Sequence, residues 1–294
     1  MPGAWPPPIA EPELVERLAL DDAGFRAFAL AFIEQVPRRT LDAAAYAWAC
    51  SYPWARPAGS YVLDADGAVQ RLAELEEPAR ERIIERFSAP SAGRAPLLAI
   101  GSNAAPETLQ RKFAHFEAPA DRTALVVTGR LHDFDVGFSA QPALYGALPA
   151  TIFPSPGTAV ATALLWLTPA QFTQLTWSEL SYQLGRLRTR FAVDDADERF
   201  DEVLVFVSRW GALRLDGAPP ALAAVPARQR TAPALTQQQA LDRVAALALG
   251  DGANAETLVR AIFEDFAALT ARVAPTLHST AVRFASERWT PFTG

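Results

Sequence analysis

Leu97-Leu98-Ala99-Ile100-Gly101-Ser102-Asn103 passes from a continuous apolar run straight into a small polar triplet. An unbroken run of this kind is expected of a strand buried on both faces. The triplet supplies a turn. Pro106 and Glu107 then suit the first turn of a helix whose apolar face is Leu109, Phe113 and Phe116. A strand that feeds a tight turn and a helix start leaves backbone N–H groups unpaired around the turn, and glycine lets a ligand approach the main chain. That geometry binds anions. Ser and Asn are equally at home as turn and cap residues, so capping and ligand binding are both consistent with the triplet.

Downstream, strands are predicted over 124–129, 131–138, 150–153, 159–167, 189–193 and 202–209, with Phe134, Val136 and Phe138 alternating with polar neighbours. A short helix from Pro169 to Glu179 interrupts them. Many short strands with few helices predict an α+β fold: a small mixed, largely antiparallel β-barrel or sheet core over 95–215. Upstream, residues 1–94 form a helical extension. A proline-rich extended arm leads into an amphipathic pattern over 13–36 that breaks near Asp21-Asp22. Helices follow at 41–50 and 72–87, with a hairpin at Asp64-Ala65-Asp66-Gly67 between them. Residues 216–294 form a second helical extension, with helices over 236–249 and 255–273 and an extended tail.

Composition narrows the function. The 294 residues are 50% apolar and 20% charged, with 27 Lys+Arg against 33 Asp+Glu, for a net charge of −6. Such a chain is a soluble globular protein without the basic surface that a nucleic-acid binder uses to displace phosphate counterions. No signal peptide and no membrane span is legible, so the chain reads as cytoplasmic with no membrane partner. Cys50 is the single cysteine, which excludes an intramolecular disulfide and a cysteine metal cluster. P-loop, dinucleotide, HExxH and GxSxG motifs are absent, and His115, His132 and His278 are isolated, so no metal site is expected. The acidic run Asp194, Asp195, Asp197 and Glu198 reads as a solvated hairpin loop. Lys112 is the sole lysine, and the preference for Arg elsewhere is read as base composition.

One carboxylate stands in apolar company. Glu179 follows Leu175-Thr176-Trp177-Ser178 and precedes Leu180-Ser181-Tyr182. Loss of hydration there would raise its pKa toward the range useful for general acid/base work. The competing reading is an exposed glutamate at the end of a short helix.

Taken in order, these segments resemble the gamma-glutamylcyclotransferase-like superfamily, which includes the AIG2-like proteins. The family's Tyr-Gly-Ser-Asn loop is matched by Ile100-Gly101-Ser102-Asn103. Its glycine-led strand is matched by Gly129-Arg130-Leu131-His132-Asp133-Phe134-Asp135-Val136-Gly137-Phe138. Ala150-Thr151-Ile152-Phe153 and Gly157 follow, and the glutamate-to-tyrosine segment is Glu179-Leu180-Ser181-Tyr182. The resemblance implies Glu179 as general acid/base and substrate contacts from Ile100, Gly101, Ser102, Asn103, Ala104 and Tyr182. The implied reaction is intramolecular aminolysis: the α-amine of a small γ-glutamyl substrate attacks its own γ-amide, giving 5-oxoproline and a free amine or amino acid. It needs no cofactor. Ile100 and Thr176 depart from the family's tyrosine and aspartate.

A non-catalytic module that binds a small carboxylate on the same fold is the alternative, with Glu179 facing solvent or paired to an arginine such as Arg186. A hydrolase with Ser102 as nucleophile is a third reading, but no base is apparent for it. The outer helices are candidates for a lid, a homodimer contact or a partner surface.

Overall fold

In a computed structural model, which describes residues 9, 11–179, 181–194 and 197–293, residues 97–99 of the apolar run lie in a central strand, and Ile100 follows its end. Its chain order starts with helices α1 (Pro12–Ala19), α2 (Asp22–Glu34) and α3 (Ala43–Cys50), the hairpin β1 (Tyr61–Leu63) and β2 (Val69–Arg71), and α4 (Glu77–Ser88). The core continues with β3 (Ala95–Ala99), α5 (Pro106–Phe113), α6 (Pro119–Arg122), β4 (Ala124–Phe138), β5 (Ala150–Leu167), α7 (Pro169–Ser178), β6 (Tyr182–Val193) and β7 (Arg199–Ser208). Short strands β8 (Ala221–Leu222), β9 (Ala227–Arg228) and β10 (Ala234–Leu235) precede α8 (Gln237–Leu249), α9 (Ala255–Glu264) and α10 (Phe266–Thr280), and β11 (Trp289–Pro291) closes the series.

Strands β4, β5, β3, β7 and β6 are hydrogen-bonded in that order, and β6 pairs back onto β4 through Gly129–Val193, Arg130–Ala192 and Leu131–Phe191. The ring is a closed barrel, antiparallel at every seam except β3 against β7. Closure abolishes the free edges that an open sheet must protect. It also brings chains close together: a Cβ on Gly129 would lie 2.4 Å from the Phe191 ring and 2.5 Å from the Ala192 carbonyl oxygen. Only glycine fits that seam.

β3 is apolar throughout because both its faces are covered. Leu98, Leu164 and Val205 join the larger core cluster, which runs on into α8, α9 and α10. Their neighbours Leu97, Leu165 and Leu204 join a second cluster with Leu109 and Phe113 of α5 and Phe172 and Leu175 of α7. The mixed α+β class is as expected. The strands expected at 124–129 and 131–138, however, are one strand that kinks at Asp133, whose φ is +65°. The pair at 150–153 and 159–167 is likewise one strand, which bulges over 155–158 where Phe134 faces both Pro154 and Ala159. The helix expected over 255–273 is divided at Asp265, which caps α10 through Ala268 N–H at 2.9 Å.

The segments outside 95–215 are built into the same sheet. β1 pairs antiparallel with β4, and β11 pairs antiparallel with β6. The start of the proline-rich arm and Asp195 of the acidic run lie outside the described residues. No helix among the described residues is long and apolar enough to cross a membrane.

Candidate active site

Helix α7 delivers the glutamate. Thr168 and Gln171 form a capping box at its start, and Pro169 occupies the first turn, where its missing N–H costs nothing. Its buried face (Phe172, Leu175 and Thr176) fixes the rotation of the helix against the barrel. Glu179 is the residue on which the helix ends, its N–H bonded to the Thr176 carbonyl at 3.0 Å. Its side chain, 17% exposed, points toward the turn after β3.

There it meets polar partners. Asn103 Nδ2 donates to Glu179 Oε1 at 3.0 Å. Lys112, in the last turn of α5, donates from Nζ to Asn103 Oδ1 and to Ser178 Oγ, each at 2.7 Å, and lies 3.5 Å from Glu179 Oε1. Burial pulls the Lys112 ammonium below its ordinary pKa, and the nearby Glu179 carboxylate opposes that pull. Glu179 Oε2 has no hydrogen-bond partner among the described residues. Arg186, the ion partner envisaged for a binding module, sits 3.5 Å from Glu202 instead.

The turn is held from behind by residues that come from the N-terminal segment. Arg56 Nη2 donates to the Gly101 carbonyl at 2.6 Å, and the Tyr61 hydroxyl donates to the Ala104 carbonyl at 2.9 Å. Tyr52 reaches over Gly101 so closely that a Cβ there would lie 2.4 Å from the hydroxyl oxygen. That oxygen accepts from the Ala150 amide at 2.9 Å. Burial lifts the Tyr52 hydroxyl to about 12, although the Ala150 amide pulls the other way. The Ala104 amide closes the turn onto Gly101 at 3.3 Å. The amides of Gly101 and Asn103 have no acceptor among the described residues.

Ile100, Gly101, Ser102, Asn103, Glu179 and Tyr182 line one cavity of about 440 Å³. Ala104 does not line it; it is buried beneath the turn. Tyr182 turns its hydroxyl to the Ala150 carbonyl at 2.8 Å, and burial raises its pKa well above the ordinary value. The hydroxyl that Ile100 lacks is not missing from the cavity, because Tyr52 and Tyr145 also line it. Thr176, in the position of the family's aspartate, is buried and bonds its own helix at the Phe172 carbonyl at 2.8 Å. Leu180 lies outside the described residues. Among the described residues no cluster of His, Cys, Asp or Glu is placed to hold a metal ion.

Tyr52, Arg56, Tyr61 and Lys112 are the participants that sequence reasoning missed. For Lys112 a signal existed: one lysine among 27 cationic side chains. The compact Lys112 ammonium, with three donors, meets three acceptors here: Asn103 Oδ1, Ser178 Oγ and Glu179 Oε1. For the other three the signal is only a run of aromatics before the hairpin.

The far wall of the cavity includes Gln141 and Trp210, both braced by His278. The His278 ring stacks on Trp210 at 4.3 Å, and Nε2 lies 2.9 Å from Gln141 Oε1. Because the Gln141 amide nitrogen donates to Thr270 Oγ1 at 3.2 Å, Nε2 is the nitrogen assigned the hydrogen. Burial, then Arg26 and Arg283, lowers the His278 pKa from 6.5 to about 4. The unfolded chain therefore binds the proton before the folded one does. This contribution to stability is complete above pH 6.5 and is lost as the pH falls toward about 4. Denaturation midpoints measured across that window should fall for the wild type and fall less steeply for His278→Gln.

No family model and no curated protein matches the sequence. Solved structures similar to this chain include a gamma-glutamyl cyclotransferase, at 19% identity over 38% of this chain and 65% of that one, with a TM-score of 0.31. An uncharacterized protein from Homo sapiens is similar at 20% identity over 40% of this chain and 67% of that one, with a TM-score of 0.30. YkqA from Bacillus subtilis is similar at 15% identity over 60% of this chain and 57% of that one, with a TM-score of 0.30. The chain thus spans just under two thirds of the first, at 65% of its length.

Proposed function

We propose that the cavity carries out intramolecular aminolysis of a γ-glutamyl amide, releasing 5-oxoproline and an amine or amino acid. The observation that carries this reading is that Glu179 and the 101–103 turn line one cavity, joined by the 3.0 Å bond from Asn103 to Glu179. Glu179 Oε2 takes a proton from the substrate's α-ammonium, and the freed nitrogen attacks the γ-carbonyl carbon. A carbon–nitrogen bond closes the five-membered ring, and the carbonyl oxygen takes up the negative charge. Glu179 then protonates the amide nitrogen, the original carbon–nitrogen bond breaks, and the carbonyl reforms. The second proton of the ring nitrogen ends on the released amine.

The residues suit these tasks. A carboxylate that both takes and returns a proton contributes by general acid–base catalysis, worth about 10²–10⁴-fold. The amides of Gly101 and Asn103 are fixed in a turn and can meet the substrate carboxylate or the developing oxyanion without reorganising. Holding the γ-glutamyl chain in a ring-closing conformer supplies the proximity effect. The Lys112–Glu179 pair favours a second reading, a carboxylate-binding module with no turnover, since it gives Glu179 an electrostatic role at rest.

The test is to incubate the purified protein with a panel of γ-glutamyl amines and amino acids and quantify 5-oxoproline. The expected result is release from at least one member above the uncatalysed rate. Binding across the panel with no 5-oxoproline from any member decides for the binding module.

A further inference from the structure

Helix α2 has an apolar stripe with an unusual destination. Phe25, Phe28, Ala29, Phe32 and Ile33 recur at helical spacing, and all of them line the cavity that holds Glu179. An amphipathic helix ordinarily spends such a stripe on packing. Here Phe25 is packed, 5.0 Å from the Trp210 ring, whereas Phe32 remains 46% exposed and Phe28 is only partly covered, beneath the Arg17 guanidinium at 4.6 Å. Phe25, Ala29 and Ile33 are thus buried in the core, and Phe28 and Phe32 are the part of the stripe left open on the cavity wall.

On that side Trp210 Nε1 is buried without a hydrogen-bond partner among the described residues, and two other polar side chains are engaged with the protein. Gln141 is bonded to Thr270 and His278, and Ser139 to Ser208 at 2.8 Å. At the turn, Glu179 Oε2 and the amides of Gly101 and Asn103 have no hydrogen-bond partner among the described residues. Charge is distributed in the same way. Lys112 is paired with Glu179, and Arg111 is the lining cation with no acidic partner among the described residues. Arg111, which lies over the Trp48 and Trp54 rings, can answer the carboxylate of the γ-glutamyl group, whereas Arg17 above Phe28 is already paired with Glu13.

We infer that the site selects γ-glutamyl compounds whose leaving group is bulky and apolar, with that group lying against the Phe28 and Phe32 face of α2. This rests on the reading above that Glu179 and the turn hold the γ-glutamyl moiety. Burial of one large apolar side chain sets the size of the preference at about 10- to 100-fold in kcat/KM.

The experiment compares γ-glutamylphenylalanine and γ-glutamylleucine with γ-glutamylglycine and γ-glutamylaspartate, by 5-oxoproline release and by calorimetric binding to the Glu179→Gln protein. The apolar pair should be preferred in both measurements. Phe28→Ser and Phe32→Ser, at partly exposed positions that leave the Phe25–Trp210 contact in place, should shrink the phenylalanine-to-glycine ratio, chiefly through KM. Equal handling of all four compounds, preference for the glycine or aspartate compound, or an unmoved ratio in both serine variants would overturn the inference. Calorimetry needs no turnover, so absence of 5-oxoproline with retained apolar preference overturns the aminolysis reading alone.

Discussion

Glu179→Gln is expected to lower kcat for 5-oxoproline release by about 10²–10⁴-fold while changing KM little. The substitution keeps the shape of the side chain. A glutamine oxygen can still accept from Asn103 Nδ2, now at 3.0 Å, and from the Lys112 ammonium, so the corner retains its hydrogen bonds. What it removes is the atom able to hold a proton. If Glu179 does no more than fix Asn103 and Lys112, the glutamine variant keeps most of the activity, and steady-state kinetics would show it. If Glu179 chiefly anchors the substrate ammonium, KM rises instead, because the lost interaction is then made equally in the ground state and the transition state. The split between kcat and KM thus separates proton transfer from anchoring. A denaturation curve superimposable on that of the wild type keeps either outcome interpretable.

How much of this corner was legible beforehand depends on how local each contact is. Gly101, Ser102 and Asn103 follow one strand and precede one helix, so their turn could be read from neighbouring residues alone. Glu179 could be singled out for the same reason, but its surroundings could not. Trp177 and Leu175 beside it in sequence predict an apolar pocket, whereas in space it faces Asn103 and Lys112. A helix end turns successive side chains in different directions, and composition along the chain does not report that. Tyr52 and Arg56 were out of reach for another reason. They arrive at the turn because β1, a few residues further on, pairs with β4, a contact spanning more than sixty residues (Tyr61 to Val126). Strand lengths failed where the backbone departs from the regular alternation. The breaks expected at Arg130 and over 154–158 are not strand ends: Arg130 stays paired with Ala161, and the ladder resumes beyond the bulge at 155–158.

Replacing Arg230 by methionine is expected to destabilise the fold by about 3–5 kcal/mol. Asp135, on barrel strand β4, is 0% exposed, and Arg230 holds it at both oxygens, Nε to Oδ2 and Nη2 to Oδ1, each at 2.8 Å. The same guanidinium donates to the Val225 carbonyl at 2.7 Å, and Asp135 Oδ1 also accepts from the Val136 amide at 2.8 Å. The pair therefore stitches the segment between β9 and β10 onto the barrel. Removing the cation strands an anion without solvent, and that desolvation sets the size of the effect. By contrast Arg243–Asp216, at 2.7 Å but with side chains 48% and 75% exposed, should be worth no more than about 1 kcal/mol. A double-mutant cycle completes the argument, because Asp135→Leu combined with Arg230→Met removes both charges together. Urea denaturation should place the double variant well above the Arg230→Met single variant in stability, since no uncompensated charge is left buried. A double variant no more stable than the single one would locate the cost in the lost hydrogen bonds to Val225 and Val136, and the ion pair itself would then count for little.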